Sequence, residues 1–183
     1  MSPFSEFLAA EGVREEVIMD ARVGVMALHG GLEFGTSRLA KSIAQQSAAS
    51  LYAVVQASDF AWHLPSTQYD PTVSPNLGRF LRHVRTVFSI HGYHRPELGD
   101  VALLGGNNRS LAHTLHGALS SQGIPAISDL GRIPKALRGQ HSRNPVNGPV
   151  EAGVQLELPR SMRQPVPLSG IVAAVTGVLV GMV

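Results

Sequence analysis

The 183-residue sequence contains no cysteine, and only 15% of its residues are charged and 5% aromatic. Without cysteine there is no disulfide scaffold, no thiolate zinc site, no iron–sulfur cluster and no thiol nucleophile. Any transition metal must be held by His, Asp, Glu or backbone oxygen, and eight His are available. Lysine is scarce as well: Lys41 and Lys135 stand against thirteen Arg. No run of five like charges occurs, and 15 basic against 13 acidic residues leave a net charge of +2. A nucleic-acid-binding stripe is therefore not expected. The Arg that remain suit bidentate pairing with carboxylate or phosphate better than Lys would. A long hydrophobic run is also missing. The apolar stretch 171–183 is 13 residues long, against the roughly 20 that span a bilayer. Pro167 and Ser169 just before it read as a helix start. The stretch 168–183 is thus expected to be a C-terminal helix packed on the domain, not a membrane anchor. Met1 is followed by Ser-Pro-Phe-Ser-Glu, with neither a basic start nor an apolar core. This predicts no secretory signal and a cytoplasmic chain.

A chain of this length fits one domain and buries about 70% of its unfolded surface without covalent staples. Ser5, Phe7 and Leu8 ahead of Gly12 predict a short N-terminal helix, and the segment 14–22 reads equally as strand or helix. After it, short apolar runs alternate with capped amphipathic segments. Strands are expected at 23–28, 51–57, 86–90, 101–104, 125–128 and 154–158. Helices are expected at 38–48 behind Thr36 or Ser37, at 77–85 behind Asn76, and from Asn107 or Asn108 to about Gln122. This order predicts a single α/β domain over 1–183, with a mostly parallel, open, twisted sheet and helices on both faces.

In open α/β sheets, ligands bind beyond the carboxyl ends of the strands. His29 follows the first predicted strand, His91 the third and Asn107 the fourth, and Glu157 lies at the end of the last. Four segments are thus expected to deliver polar groups to one edge. In His29-Gly30-Gly31-Leu32-Glu33, two glycines permit a tight turn, and His and Glu are both zinc ligands. The same loop also suits an anion bound by free helix N–H groups, or a plain turn with His29 hydrogen-bonded. His91 supplies a third metal ligand, with His94 further out in the loop as its competitor. Two His, one Glu and a water in the fourth position form the catalytic zinc pattern. A carboxylate outside that shell must take the water's proton. Alternation over 154–158 puts Gln155 and Glu157 on one face, opposite the leucines, which favours Glu157 over an ordinary surface carboxylate. Arg143, beside Asn144, is the best-placed cation for a substrate carboxylate or an oxyanion. Arg95, Arg109 and Arg160 are weaker, the last two reading as exposed salt-bridge partners. His63 reads either as a support of the metal or as a loop histidine. His83, His113 and His116 fall on predicted helices as structural or exposed groups, and Tyr69 and Tyr93 lie in or near the loops.

From about 23 to 163 the sequence resembles the phage-type poly-γ-glutamate hydrolases. The resemblance rests on His29-Gly30-Gly31-Leu32-Glu33-Phe34-Gly35-Thr36-Ser37, Trp62-His63-Leu64-Pro65-Ser66-Thr67, Ser89-Ile90-His91-Gly92, Leu104-Gly105-Gly106, Arg143-Asn144-Pro145-Val146-Asn147 and Gly153-Val154-Gln155-Leu156-Glu157-Leu158, in that order. It implies a zinc-dependent amidohydrolase on a carboxypeptidase-like open sheet. By that resemblance one zinc ion is expected on His29, Glu33 and His91, with Glu157 as the general base. The loop between His29 and Glu33 is one residue shorter than in the family pattern. The implied reaction is cleavage of γ-glutamyl amide bonds in poly-γ-glutamate, with Arg143, Asn144 and Asn147 binding substrate and Arg143 also serving catalysis. The implied partner is an acidic polymer or peptide, with no nucleic acid, no membrane and a monomeric chain, released by lysis where the origin is a phage. Two other readings stay open: a zinc amidase or deacylase acting on another acidic peptide or N-acyl amino acid, and a non-catalytic anion-binding α/β module.

Overall fold

The computed structural model describes residues 2–57 and 59–182, the side chains of 165–167 excepted. Val183, the last residue of the expected C-terminal helix, lies outside them. The chain runs α1 (Pro3–Ala9), β1 (Arg14–Ile18), β2 (Ala21–Gly30), α2 (Thr36–Ser47), β3 (Ala49–Val55), α3 (Pro75–His83), β4 (Thr86–Tyr93), β5 (Ala102–Leu104), α4 (Arg109–Ser121), β6 (Ala126–Ile127), β7 (Gly153–Pro159) and α5 (Pro165–Val180). Seven strands form one sheet in the order β1-β3-β2-β4-β7-β5-β6. Four of the pairings are parallel; β1 with β3 and β5 with β7 are antiparallel. The sheet is open and mostly parallel, as expected.

Its centre reads in sequence as nearly unbroken apolar runs because helices and loops cover both faces. Val25, Ala27, Phe88, Ile90, Leu156 and Leu158 point to one face. There they meet Leu39 and Ile43 of α2, Leu115 and Leu119 of α4, and Ile171 and Val175 of α5. Met26, Leu28, Tyr52, Val54 and Val87 point to the other, under α1, α3 and the loop 60–73. Each large side chain fully buried this way contributes about 2 kcal/mol. The apolar C-terminal stretch is thus a packed helix. No helix among the described residues is long and apolar enough to cross a membrane.

Local chemistry sets the helix starts. The cap of α3 lies two residues before the expected Asn76: Ser74 Oγ accepts the Leu77 N–H at 3.0 Å and Pro75 takes the first helical position. Asn108, one of the two expected caps, starts α4 by accepting the Leu111 N–H at 3.0 Å. The undecided segment 14–22 contributes strand β1. Tyr52 donates to Glu15 Oε1 at 2.5 Å and Asn76 Nδ2 to Glu15 Oε2 at 3.0 Å, which ties this edge strand to β3 and α3.

The direction of chain travel places the site. β2 lies between β3 and β4, its successors in the chain, both parallel to it. The connections from β2 and β3 therefore leave in opposite directions and open a crevice at the carboxyl ends of β2 and β4. β7 extends that edge beside β4. β5 does not: it runs antiparallel to β7, with Leu103 opposite Glu157 and Leu104 opposite Leu156. Asn107 is therefore carried toward the other end of the sheet. The sequence suggested four segments at one edge; three meet there.

Candidate metal and catalytic site

His91 and Glu157 are register partners on β4 and β7, and both side chains face the side of the sheet opposite Ile90 and Leu156. His29 stands at the end of β2. Strict alternation would align it with Val25 and Ala27, but the pairing of β2 with β3 shifts register between Ala27 and Gly30. His29 meets His91 instead, with the two Nδ1 atoms 3.2 Å apart. Directly after His29 the chain turns sharply. Gly31 has φ +86°, and a Cβ there would collide with the Gln56 carbonyl oxygen, so glycine is required. The Glu33 N–H donates to the His29 carbonyl at 2.9 Å, and Thr36 Oγ1 donates to the Glu33 carbonyl at 2.8 Å. In this short loop Glu33 Oε1 lies 2.8 Å from His29 Nδ1, and Oε2 accepts the Gly92 N–H at 2.7 Å.

The donor set fits a metal ion. His29 Nε2 lies 3.0 Å from the Leu64 carbonyl oxygen. A carbonyl only accepts, so Nε2 carries the hydrogen and the neutral ring turns a lone pair outward at Nδ1. That lone pair, the Glu33 carboxylate and His91 Nδ1 converge, His91 Nδ1 lying 3.8 Å from Glu33 Oε2. In the metal-free chain a proton on His29 Nδ1 can bridge to Glu33; with that proton displaced, the three groups present acceptors that suit a cation among them. A backbone carbonyl that fixes the tautomer is the usual outer support of a metal-bound histidine. On His91, Ser89 Oγ plays a similar part, 2.8 Å from Nε2. Two imidazole nitrogens on a tetrahedral zinc stand about 3.3 Å apart, close to the separation seen here. His63 also approaches: its ligand atom and those of His29 and Glu33 lie within 4.8 Å of one another. Its side chain is exposed, whereas those of His29 and His91 are buried.

Electrostatics separate the groups. Burial opposes charge on His29, but its hydrogen bond and attraction to Glu33 outweigh this and raise its pKa. Glu33 is lowered: burial works against its charge, and His29, His91 and the Gly92 amide overcome it. Burial holds His91 neutral, with its pKa down to about 4. Glu157 is pushed up to about 8, first by burial and then by the negative charge of Glu33. Gln155 Nε2 donates to Glu157 Oε1 at 2.8 Å and works the other way.

These groups line a cavity of about 450 Å³, whose mouth carries His63, His94, Arg95, Lys135 and His141. Arg143 is exposed and lines an adjoining cavity, which shares Thr67 and Asn144 with the first. Asn144 is buried and donates to Gln155 Oε1 at 2.8 Å. Asn147 is engaged within the loop: it donates to the Gly139 and His141 carbonyls at 2.8 and 3.1 Å and accepts the Asn107 N–H at 3.0 Å. Tyr69 donates to the Leu28 carbonyl and Tyr93 to that of Val101, so both hydroxyls serve the backbone. Arg109 is no surface ion-pair partner. Its guanidinium donates to the carbonyls of Leu104, Gly105, Gly106 and Ser128. Arg160 stacks over the Phe34 ring at 5.5 Å. One group had no signal in the sequence: Arg163, whose buried guanidinium donates to the Leu158 and Phe34 carbonyls. It lies flat on Gly92, where an added Cβ would come within 2.5 Å of its Cζ.

The poly-gamma-glutamate hydrolase family model matches residues 9–167. The chain belongs to the poly-γ-glutamate hydrolase family. Among curated proteins, it is 30% identical over 151 residues to the SPbeta prophage-derived UPF0714 protein YoqZ of Bacillus subtilis (strain 168). That alignment takes in 80% of this chain and 52% of YoqZ, so the chain spans about half the length of the curated relative it matches. Two solved structures share the fold of this family member. A bacteriophage poly-gamma-glutamate hydrolase superposes with a TM-score of 0.77 at 22% identity, over 91% of this chain and 87% of its own. The zinc-free form of YNDL gives 0.79 at 22% identity, over 92% and 89%.

Proposed function

We propose that this chain is a zinc-dependent amidohydrolase that cleaves γ-glutamyl amide bonds of poly-γ-glutamate. The observation that carries this reading is the convergence of His29 Nδ1, His91 Nδ1 and Glu33 beside a buried Glu157, in a member of this family. His29, Glu33 and His91 are the proposed ligands of one zinc ion. When bound, zinc supplies a water of lowered pKa and polarises the amide carbonyl. Glu157 accepts the proton of the attacking water and returns it to the leaving amine nitrogen. Burial raises the pKa of this carboxyl, and a base moved toward neutrality both takes and gives a proton. Each unit of a γ-linked glutamyl chain carries a free carboxylate. Arg143 is assigned to pair with one of these in the adjoining cavity, and Lys135 and Arg95 add positive charge at the mouth. Asn144 and Asn147 shape the loop that carries Arg143.

The test incubates the purified chain with γ-linked polyglutamate and with α-linked acidic peptides, alongside elemental analysis. About one zinc per chain, shortening of the γ-linked polymer, loss of cleavage on chelation and recovery with zinc are expected. Cleavage of the α-linked peptides alone would move the substrate to another acidic peptide. A chain with no bound metal and no hydrolysis, but with phosphate at the loop 30–35, would make it an anion-binding module.

A further inference from the structure

Three hydrogen bonds connect a backbone amide to Glu157, and their direction is set at the first. The Val146 N–H can only donate, and it donates to Asn144 Oδ1 at 3.3 Å. Asn144 therefore turns Nδ2 toward Gln155 and donates to Oε1 at 2.8 Å. Gln155 then presents Nε2, which donates to Glu157 Oε1 at 2.8 Å and to the Leu137 carbonyl at 3.4 Å. All three side chains are buried. Neither amide can flip without setting donor against donor or acceptor against acceptor. Glu157 Oε1 is thus an acceptor in either protonation state, and a proton on the carboxyl resides on Oε2.

We propose that Asn144 and Gln155 are positioning residues that grip the general base by Oε1 and reserve Oε2 for proton exchange. In each turnover the proton passes from the attacking water to Oε2, and from Oε2 to the leaving amine. This rests on the reading of Glu157 as the base. It gives Asn144 an inward task and leaves contact with substrate to its neighbour Arg143. It also accounts for an amide at position 155: only a group that accepts at one end and donates at the other fits between Asn144 and a carboxylate. A carboxylate at 155 would oppose Glu157, and an apolar side chain would release it.

The experiment uses the full chain, zinc-loaded for kinetics and metal-free for spectroscopy. Asn144→Asp keeps the side-chain size and still accepts from Val146, but cannot donate to Gln155. The Gln155 amide then turns its oxygen to Glu157, and kcat is expected to fall about 10²-fold with KM little changed. The loss should exceed that of Asn144→Ala. A residue needed only for packing gives the opposite order, because Ala removes volume that Asp keeps. Gln155→Met should lower kcat similarly with zinc content unchanged. In the metal-free protein, the carbonyl stretch of protonated Glu157, assigned by its loss in Glu157→Gln, should rise in frequency in Gln155→Met. Unchanged kcat and an unshifted stretch in Gln155→Met, or a milder effect of Asn144→Asp than of Asn144→Ala, would overturn the positioning role. An active Glu157→Gln enzyme would instead overturn the reading of the base, which keeps the two failures apart.

Discussion

Glu157 stands directly beside His91 across the parallel pairing of β4 and β7, so the proposed base and a proposed metal ligand are held by one hydrogen-bonded ladder. Neighbouring strands lie about 4.8 Å apart, and that spacing sets the backbone separation of Glu157 and His91. Glu157→Gln keeps the shape and the ladder but removes the proton acceptor. It is expected to retain about one zinc per chain and to lose amide hydrolysis by about 10²- to 10⁴-fold. Elemental analysis together with steady-state assays checks this; full activity removes Glu157 from the mechanism.

The three converging ligands predict graded losses of metal. His29→Ala and His91→Ala each remove a buried nitrogen from the cluster and should abolish stoichiometric zinc. His63→Ala, at the exposed mouth, should leave occupancy near one. If His63→Ala empties the site while His91→Ala keeps it, the third ligand is His63, whose ligand atom also lies near His29 and Glu33.

The buried carboxyl gives the metal-free protein a pH signature. Burial and the charge of Glu33 push the Glu157 pKa up to about 8 in the folded chain, from an ordinary value of 4.5. Between these values the unfolded chain has lost a proton that the folded chain keeps, so this group lowers stability as pH rises from 4.5 to 8. Glu157→Gln removes that penalty. The variant should be more stable than the parent, by a margin that grows across this window to the order of a few kcal/mol. Denaturant melts of metal-free protein at pH 5 and pH 8 measure it; an equal margin at both contradicts the raised pKa.

Arg163 is expected to act on metal affinity. It donates to the Phe34 carbonyl beside Glu33 and rests on Gly92, whose N–H donates to Glu33 Oε2. Arg163→Met should therefore loosen the carboxylate and weaken zinc binding about 10- to 100-fold, the range usual for outer supports of a metal ligand. Titration against a competing chelator reads this, and unchanged affinity refutes it.

Much of the site was legible because strand ends announce themselves. Val23–Leu28 and the residues before His91 are apolar runs that stop at a polar group and a glycine, and alternation in β7 put Gln155 and Glu157 on the face opposite the leucines. Asn107 was misplaced for a definite reason. The run before it looks like any other short strand, and nothing local tells whether its neighbour runs with it or against it. Arg109 and Arg163 were misjudged or missed because their partners are backbone carbonyls, some within five residues and others, Ser128 and Phe34, from distant segments, and carbonyls leave no pattern in the sequence.

The sequence alone determined the class of the fold and the chemistry available. Absent cysteine confined any metal to imidazole and carboxylate, and the periodicity of apolar residues dictated an alternating α/β chain. Which groups meet was decided by tertiary structure. The order of strands about β2 opens the crevice, the shift of register before Gly30 turns His29 toward His91, and the buried amides of Asn144 and Gln155 link by hydrogen bonds to Glu157. These depend on chain direction and hydrogen-bond sense, which arise only when distant segments pair.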